Sequence, residues 1–280
     1  MFEAIATRVS ELLGRDSPLI RQMRPAYETL LSWSSGGRGI PFIINGIELR
    51  RDPRYRQHYP ENFSYEPEVA AYLRAMIKPD QICFDVGANV GYYVLQFAHW
   101  TRPSGHVLAF EPNPGPRAVL ERQIAVNGLS GRVEVVKAAV ANCSGETTLY
   151  LPGADTQRLH GVSRLGAPDR SLADDFRTVT VPMISLDDFC DSRPGLRPDC
   201  ILIDIEGFEI AALKGARKVI AKRRGDLGLI VEMHPDLWHS AATSRAEVDT
   251  LFAELRLRPI PLTGQQDPLT ERGVVHLLCD

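Results

Sequence analysis

From residue 81 onward, short apolar runs alternate with longer segments of helical periodicity, and this alternation most constrains the fold. The predicted strands lie at residues 81–86, 106–110, 133–136, 200–205 and 227–232, and the predicted helices lie at 92–100, 116–127, 208–220 and 244–257. Strands that alternate with helices in this way favour a parallel sheet with helices on both faces. The sequence therefore predicts a doubly wound, mostly parallel α/β fold.

A second predicted strand pair, at residues 147–151 and 179–183, flanks an aperiodic segment at 152–176. Loops of this length inside a compact domain usually carry function. We expect this segment and the N-terminal segment to form part of a substrate pocket. A last strand is predicted at 273–278.

The first 65 residues have a different organisation. Residues 1–35 are predicted to form one or two short helices, and two apolar runs follow at 40–44 and 47–49. Asn45 and Gly46 join these runs, and this pair is typical of a type I′ hairpin turn. We predict an N-terminal extension over residues 1–65 and one larger domain over 66–280.

Composition narrows the functional classes. The 280 residues carry a formal net charge of -3, so the chain lacks the basic footprint that general nucleic-acid binding requires. Five cysteines without a CxxC pair favour a reduced, cytoplasmic environment over a disulfide framework or zinc site. No signal peptide and no apolar run of about 20 residues is present, so no membrane span is expected. The oligomeric state stays open, a homo-oligomer included.

The most specific motif is the segment FDVGANVG at residues 84–91, where an apolar strand enters a glycine turn that opens a helix. Glycine allows the backbone to turn sharply and to approach a ligand closely. Gly87 and Gly91 are four residues apart, which is not the GxGxxG spacing of dinucleotide sites. Asp85, two residues before Gly87, would repel a pyrophosphate and attract a cationic ligand.

The next predicted strand ends in Phe110, Glu111, Pro112 and Asn113. In nucleotide-binding α/β folds, an acid about 20 residues after the glycine turn holds a ribose diol. Ala139 is a small residue after the third strand, and it could let an adenine ring lie flat against the chain. The predicted cofactor-binding residues are Asp85, Gly87, Ala88, Asn89, Gly91, Glu111, Pro112, Asn113 and Ala139.

Taken in order, these motifs resemble the FkbM family of methyltransferases over residues 66–240. The resemblance rests on residues 85–91 (DVGANVG), 110–114 (FEPNP), 139–142 (AVAN), 145 (G), 185–189 (SLDDF), 203–209 (IDIEGFE) and 231–235 (VEMHP). It implies a seven-stranded class I methyltransferase sheet with an antiparallel last strand. It also implies S-adenosylmethionine as methyl donor and a hydroxyl acceptor on a natural product, sugar or lipid. The family usually has lysine where this chain has Leu202.

Carboxylates and a histidine follow two predicted strands, where an open α/β sheet binds its ligand. A hydroxyl acceptor must lose its proton, to a general base or with the help of a cation. His234 is the first candidate for the base because histidine titrates near neutral pH. We predict His234, Asp204 and Glu206 as catalytic residues. Asp204, Glu232 and His234 are the alternative ligands for a divalent cation such as Mg²⁺.

Three readings of the activity follow from these motifs. The favoured one is a methyltransferase that acts on a hydroxyl group of a small molecule. The second is an N- or nucleic-acid methyltransferase, although the Asn-Pro-Pro-Tyr type of motif is absent. The third is a non-catalytic protein that binds S-adenosylmethionine.

Overall fold

A computed structural model describes residues 17–152, 165 and 176–280. The chain packs as two units, a first one of residues up to Ser64 with Ala125–Gly128, and a second one of Tyr65–Ile124 with Leu129–Asp280. The two units are described separately below. We retain the assignment of residues 1–65 as an extension and of 66–280 as the main domain as a proposal.

The first unit combines one helix with a small sheet. Its elements are α1 (Pro18–Ser34), β1 (Ile40–Ile44), β2 (Ile47–Arg51), a 3-10 helix (Pro53–Tyr55) and β3 (Asn62–Phe63). Asn45 and Gly46 have φ values of 48° and 79°, so the predicted type I′ turn between β1 and β2 is confirmed. After β2, Asp52 caps the 3-10 helix, and β3 pairs in parallel with β1.

The second unit holds the alternating elements. They are α2 (Pro67–Met76), β4 (Ile82–Val86), α3 (Tyr92–Trp100), β5 (His106–Phe110), α4 (Pro114–Val126), β6 (Val133–Val136), β7 (Ala139–Val140), β8 (Gly145–Pro152), β9 (Phe176–Ile184), α5 (Leu186–Asp191), β10 (Cys200–Ile203), α6 (Glu209–Lys214), α7 (Arg217–Lys222), β11 (Gly228–Met233), a second 3-10 helix (Pro235–Ala241), α8 (Arg245–Leu255), β12 (Leu257–Pro261) and β13 (Gly273–Cys279).

Seven of these strands form one sheet in the order β12-β13-β11-β10-β4-β5-β6. Neighbours are parallel except for β13, which runs antiparallel to both β11 and β12. The central strand β10 is buried at each of its four residues, as expected for a strand covered on both faces. The predicted doubly wound, Rossmann-like fold is thus confirmed, including the antiparallel last strand.

A separate three-stranded sheet has the order β7-β9-β8. β8 and β9 form the predicted strand pair, and their antiparallel register runs from Gly145 opposite Met183 to Pro152 opposite Phe176. The residues predicted as a functional loop, 152–176, fall mostly outside the described part of the chain. Within 153–175 the structure describes Leu165.

Residues 208–220 were predicted as one helix, and the structure divides them into α6 and α7. The break falls at Gly215, where a Cβ atom would overlap the carbonyl oxygen of Ala141. Close approach of two backbones therefore interrupts a pattern that is helical by periodicity. The second 3-10 helix and β12 were not predicted. Among the residues that the structure describes, no helix is long and apolar enough to cross a membrane.

Candidate active site

The glycine turn between β4 and α3 has the close backbone packing that its sequence predicts. Gly87 and Gly91 adopt φ values of 93° and 98°, and Asn89 between them adopts 49°. A Cβ at Gly87 would overlap the carbonyl oxygen of Asp204, so β10 ends directly against the turn. The backbone N–H groups of Gly87 and Ala88 both donate to the carbonyl of Phe110, each at 3.0 Å. The turn is thereby fixed between the ends of β5 and β10.

Glu111 closes this arrangement from the end of β5. One of its carboxylate oxygens accepts a hydrogen bond from the backbone N–H of Asn89 at 2.8 Å, and the other accepts one from Asn113 at 2.7 Å. The side chain is buried, and burial raises its pKa to about 7 although both bonds oppose that shift. The carboxylate thus borders the turn, where a ribose diol is expected.

Asp85 lies in β4 with 3% of its surface exposed. Burial, followed by the charge of Glu111, raises its pKa to about 7. The strand register pairs Asp85 with Leu202, the position at which the family usually has lysine. Because side chains in register on parallel strands share a face, leucine here leaves Asp85 without a cationic neighbour from β10.

A cavity of about 290 Å³ opens beside the turn. Five predicted cofactor residues line it, namely Gly87, Asn89, Glu111, Pro112 and Ala139. The other four, Asp85, Ala88, Gly91 and Asn113, are not among its described lining residues, and they shape the turn and the end of β5 instead. One wall of the cavity is apolar, with Phe110, Ala138, Val140, Leu149 and Leu165.

Another part of the lining is acidic, and the term acidic wall is used below for Asp204, Glu206 and Glu232, which lie at and beyond the ends of β10 and β11. Glu66, Glu111, Asp204, Glu206 and Glu232 line the cavity, and no lysine or arginine is among the described residues that line it. Burial raises the pKa of Asp204 well above its usual range, and the charge of Glu232 raises it further, whereas that of His234 lowers it. Burial also raises the pKa of Glu206. The cavity is therefore suited to a cationic ligand.

His234 is buried just behind this wall and does not itself line the cavity. Its Nδ1 lies 2.9 Å from Oε1 of Glu209, and its Nε2 lies 3.5 Å from Glu232 and 3.7 Å from Glu206. One ligand atom from each of Asp204, Glu232 and His234 can be chosen so that all lie within 4.8 Å of one another. The structure thus brings together every residue of the predicted catalytic and metal sets.

Glu209 fixes the orientation of His234. This fully buried carboxylate accepts from the backbone N–H of Gly207 at 2.6 Å and from Nε1 of Trp238 at 3.2 Å, besides its contact with His234. Glu209 was not among the residues predicted for the site. Trp238, on the unpredicted 3-10 helix, is the sequence feature that could have indicated this contact, because a buried indole N–H usually donates to a polar partner.

The charge state of His234 differs from that of the ordinary histidine considered as a general base. Burial lowers its pKa, but hydrogen bonds to Glu209 and Glu232, with the charges of Glu209 and Glu206, outweigh burial and raise the pKa to about 11. The imidazole is therefore cationic near neutral pH. The sequence alone does not show this charge state, because Glu206 and Glu209 come to lie beside His234 only in the fold.

Tyr65 and Glu66 also line the cavity and were not predicted. Glu66 accepts a hydrogen bond from the hydroxyl of Tyr93 at 2.6 Å, and the ring of Tyr65 packs on Tyr92 with centroids 4.5 Å apart. Glu66 adopts φ 40° immediately before Pro67, at the start of α2. A charged residue held in the left-handed region at a cavity is a structural sign of function that the sequence alone does not give.

The seven-stranded sheet, the glycine turn and the cavity at the carboxyl ends of the strands define a class I methyltransferase fold. The model of the methyltransferase FkbM domain matches residues 85–258, more than half of the chain. The protein belongs to the FkbM methyltransferase family.

Two curated relatives show the range of similar proteins. The 31-O-demethyl-FK506 methyltransferase FkbM of Streptomyces tacrolimicus is 29% identical over 220 residues, which cover 68% of this chain and 84% of the relative. The hexuronic acid methyltransferase AglP of Haloferax volcanii is 25% identical over 192 residues, which cover 69% and 70%.

Among solved structures, the methyltransferase FkbM of Methylobacillus flagellatus KT has a TM-score of 0.45 at 14% identity, covering 74% of this chain and 50% of that one. The O-methyltransferase of Bacillus cereus has a TM-score of 0.44 at 13% identity and covers 99% of this chain and 100% of that one.

Proposed function

We propose that the protein transfers a methyl group from S-adenosylmethionine to a hydroxyl group of a small molecule. This proposal rests on one observation: the glycine turn with Glu111 and the acidic wall of Asp204, Glu206 and Glu232 line the same cavity. The first part provides the features of a nucleoside site, and the second provides groups that can take a proton from an acceptor.

The residues of the cavity suit the donor in charge and in residue type. When bound, S-adenosylmethionine supplies an electrophilic methyl group on a sulfonium cation. Glu111 would accept hydrogen bonds from the ribose hydroxyls, and the small residues Ala138 and Ala139, which line the cavity, would leave room for the adenine ring. The acidic wall would attract the sulfonium and ammonium groups, and burial strengthens that attraction.

The acceptor hydroxyl would lie between the donor and the acidic wall. Methyl transfer is an in-line displacement, so alignment of the two reactants supplies much of the rate. We assign the role of proton acceptor to Glu206, because it lines the cavity and burial raises its pKa toward the range of an efficient base. In this proposal neither His234 nor Asp204 removes the proton. The buried His234 would stabilise the acidic wall, of which Asp204 is a part.

The names of the two relatives support a natural product or a sugar as acceptor, since they refer to demethyl-FK506 and to hexuronic acid. We therefore place the acceptor in this class. We keep the cytoplasmic location as a proposal, because the five cysteines of the sequence include no CxxC pair. Nucleic acid is not proposed as a substrate.

Calorimetric titration with S-adenosylmethionine tests the donor site. Glu111→Ala should lose about 1.5–3 kcal/mol of binding free energy, the scale of hydrogen bonds to a charged group. The matched control is Glu121→Ala on α4, an exposed glutamate paired with Lys137, which should bind as the wild type does. Unchanged donor affinity in a folded Glu111→Ala protein would contradict the assignment of Glu111 as the residue that binds the ribose.

The acceptor class requires a second experiment. Isotope-labelled donor is incubated with matched sugars that carry either hydroxyl groups alone or an added amine. Label in the methyl ether of the hydroxyl compound is the expected product. Label on nitrogen alone would favour the N-methyltransferase reading, and donor binding without any transfer would favour a non-catalytic protein.

A further inference from the structure

Three potential ligands of a metal ion lie close together at the carboxyl ends of β10 and β11. Ile203 of β10 pairs with Val231 of β11, so Asp204 and Glu232 follow side by side where the two strands end. His234 lies directly after the end of β11, and its Nε2 is 3.5 Å from Glu232. Their potential ligand atoms lie within 4.8 Å of one another.

The orientation of His234 is an independent observation. Its side chain is almost fully buried, and Glu209 accepts at Nδ1, so that Nε2 is directed at the carboxylates. Nε2 lies 3.5 Å from a carboxylate oxygen of Glu232 and 3.7 Å from one of Glu206. A carboxylate behind the far nitrogen of a histidine is the usual support of a metal-binding imidazole.

We propose that Asp204, Glu232 and His234 bind a divalent cation of the Mg²⁺ and Mn²⁺ class, which contacts the acceptor hydroxyl. The cation would replace the proton at Nε2 of His234, because only the neutral imidazole coordinates a metal. This inference rests on the proposed methyltransferase function. Two carboxylates favour Mg²⁺ or Mn²⁺, and the imidazole favours Mn²⁺ of the two. Ligands about 2.1 Å from such an ion lie at most about 4.2 Å apart, so side-chain rotation of a few tenths of an ångström completes the site.

The cation would act as a Lewis acid on the acceptor oxygen and make its proton easier to remove. The proton passes to Glu206, which stays outside the ligand set. The acceptor oxygen then forms its bond to the methyl carbon as the carbon–sulfur bond breaks, and the bonding electron pair remains on sulfur. The neutral thioether leaves, and no oxidant or reductant is required.

Titration of the full-length protein with Mn²⁺ alone, followed by electron paramagnetic resonance, tests the site without any acceptor. We expect one ion per chain with a Kd below about 100 µM, in the range of carboxylate-rich cation sites. Asp204→Asn, Glu232→Gln and His234→Ala should each raise that Kd at least about tenfold, as loss of a ligand or of its support does. Asp249→Asn, an exposed carboxylate on α8, is the matched control and should leave the Kd unchanged.

Circular dichroism establishes that each variant is folded before its Kd is compared. Absence of Mn²⁺ binding to the wild type up to 1 mM, or equal binding by the three ligand variants, would overturn the inference. Donor binding and methyl transfer in the presence of a chelator would contradict a role of the cation and leave the proposed function intact. Absence of donor binding, by contrast, would contradict the proposed function itself.

Discussion

Asp85 and Glu111 are both buried carboxyl groups, with 3% and 5% of their surfaces exposed. Burial raises the pKa of each to about 7, so each tends to keep a proton in the free protein near neutral pH. In an unfolded chain they would titrate near pH 4. Folding therefore favours the protonated forms, and the stability of the free protein should decrease as pH rises from about 4 to 7.

Donor binding should have the opposite pH dependence. A cationic donor favours the ionised carboxylates, so its affinity should rise between pH 6 and pH 8, by up to about tenfold for each group whose pKa is near 7. Calorimetry at pH 6, 7 and 8 measures this slope. Asp85→Asn should flatten it and should raise the unfolding temperature of the free protein at pH 8. A variant with the slope of the wild type would show that Asp85 does not take part.

Leu202 permits a complementary prediction. The register sets it beside Asp85, and it is buried. Leu202→Lys would place an ammonium group next to that carboxylate and lower its pKa, because an opposite charge nearby favours the ionised form. The part of the rise in donor affinity between pH 6 and pH 8 that comes from Asp85 should disappear in this variant, and the part that comes from Glu111 should remain. Leu202→Met, a swap of similar volume without charge, should keep the pH dependence of the wild type.

At the level of single residues, sequence motifs predicted the groups that belong to one strand-turn-helix segment. Gly87, Asn89 and Glu111 line the cavity as local pattern suggested. Glu66 and the buried contact between Glu209 and His234 were missed, since residues distant in sequence create them. Charge states depend on the same tertiary neighbours, and they could not be predicted from residue type.

Among the elements, the turn between β4 and α3 bears most directly on the site. A methyl group at Gly87 would collide with the end of β10 and would also strain a φ of 93°. Gly87→Ala should therefore lower the free energy of unfolding by at least about 3 kcal/mol, from overpacking and left-handed strain together. Urea unfolding measures the loss, and any folded fraction should bind the donor weakly.

Gly225 provides the control for backbone strain alone. It has φ 81° in the turn after α7, and a Cβ there would meet nothing within 4 Å. Gly225→Ala should cost about 1–2 kcal/mol, the penalty of a left-handed residue without a clash. Equal losses in the two alanine variants would mean that the contact with β10 is not a tight one.

Elements with strong periodicity were predicted well, and those set by tertiary contacts were not. The five strands β4, β5, β6, β10 and β11 were recognised from apolar runs, because a parallel sheet buries both faces of each strand. β12 contains two prolines and β7 has two residues, so neither carries a strand pattern. The split between α6 and α7 follows from a backbone contact at Gly215 that periodicity does not report.

At the scale of the whole molecule, the second unit contains every described residue that lines the cavity. The sequence predicted that residues 152–176 and the N-terminal segment contribute to the acceptor pocket. Leu165 is the member of 153–175 that the structure describes, and it lines the cavity. The contribution of the other residues of that segment stays a prediction, as does that of the N-terminal segment.

This arrangement predicts separate effects on the two substrates when the first unit is perturbed. Tyr59→Ala in the full-length chain removes a fully buried ring that contacts Phe42 at a centroid distance of 5.3 Å. Loss of such a ring costs about 3–5 kcal/mol and should loosen the first unit. Donor affinity should stay within about threefold of the wild type, a difference below 1 kcal/mol. The acceptor KM should rise well beyond that if the N-terminal segment contributes to its pocket.

A shortened chain of residues 65–280 gives the same comparison in a more severe form. Calorimetry measures its donor affinity, circular dichroism its folding, and steady-state kinetics its acceptor KM. Weak donor binding by a folded shortened chain would mean that the first unit supports the cofactor site as well. An unchanged KM in both proteins would instead place the whole acceptor pocket in the second unit, where the acidic wall already lies.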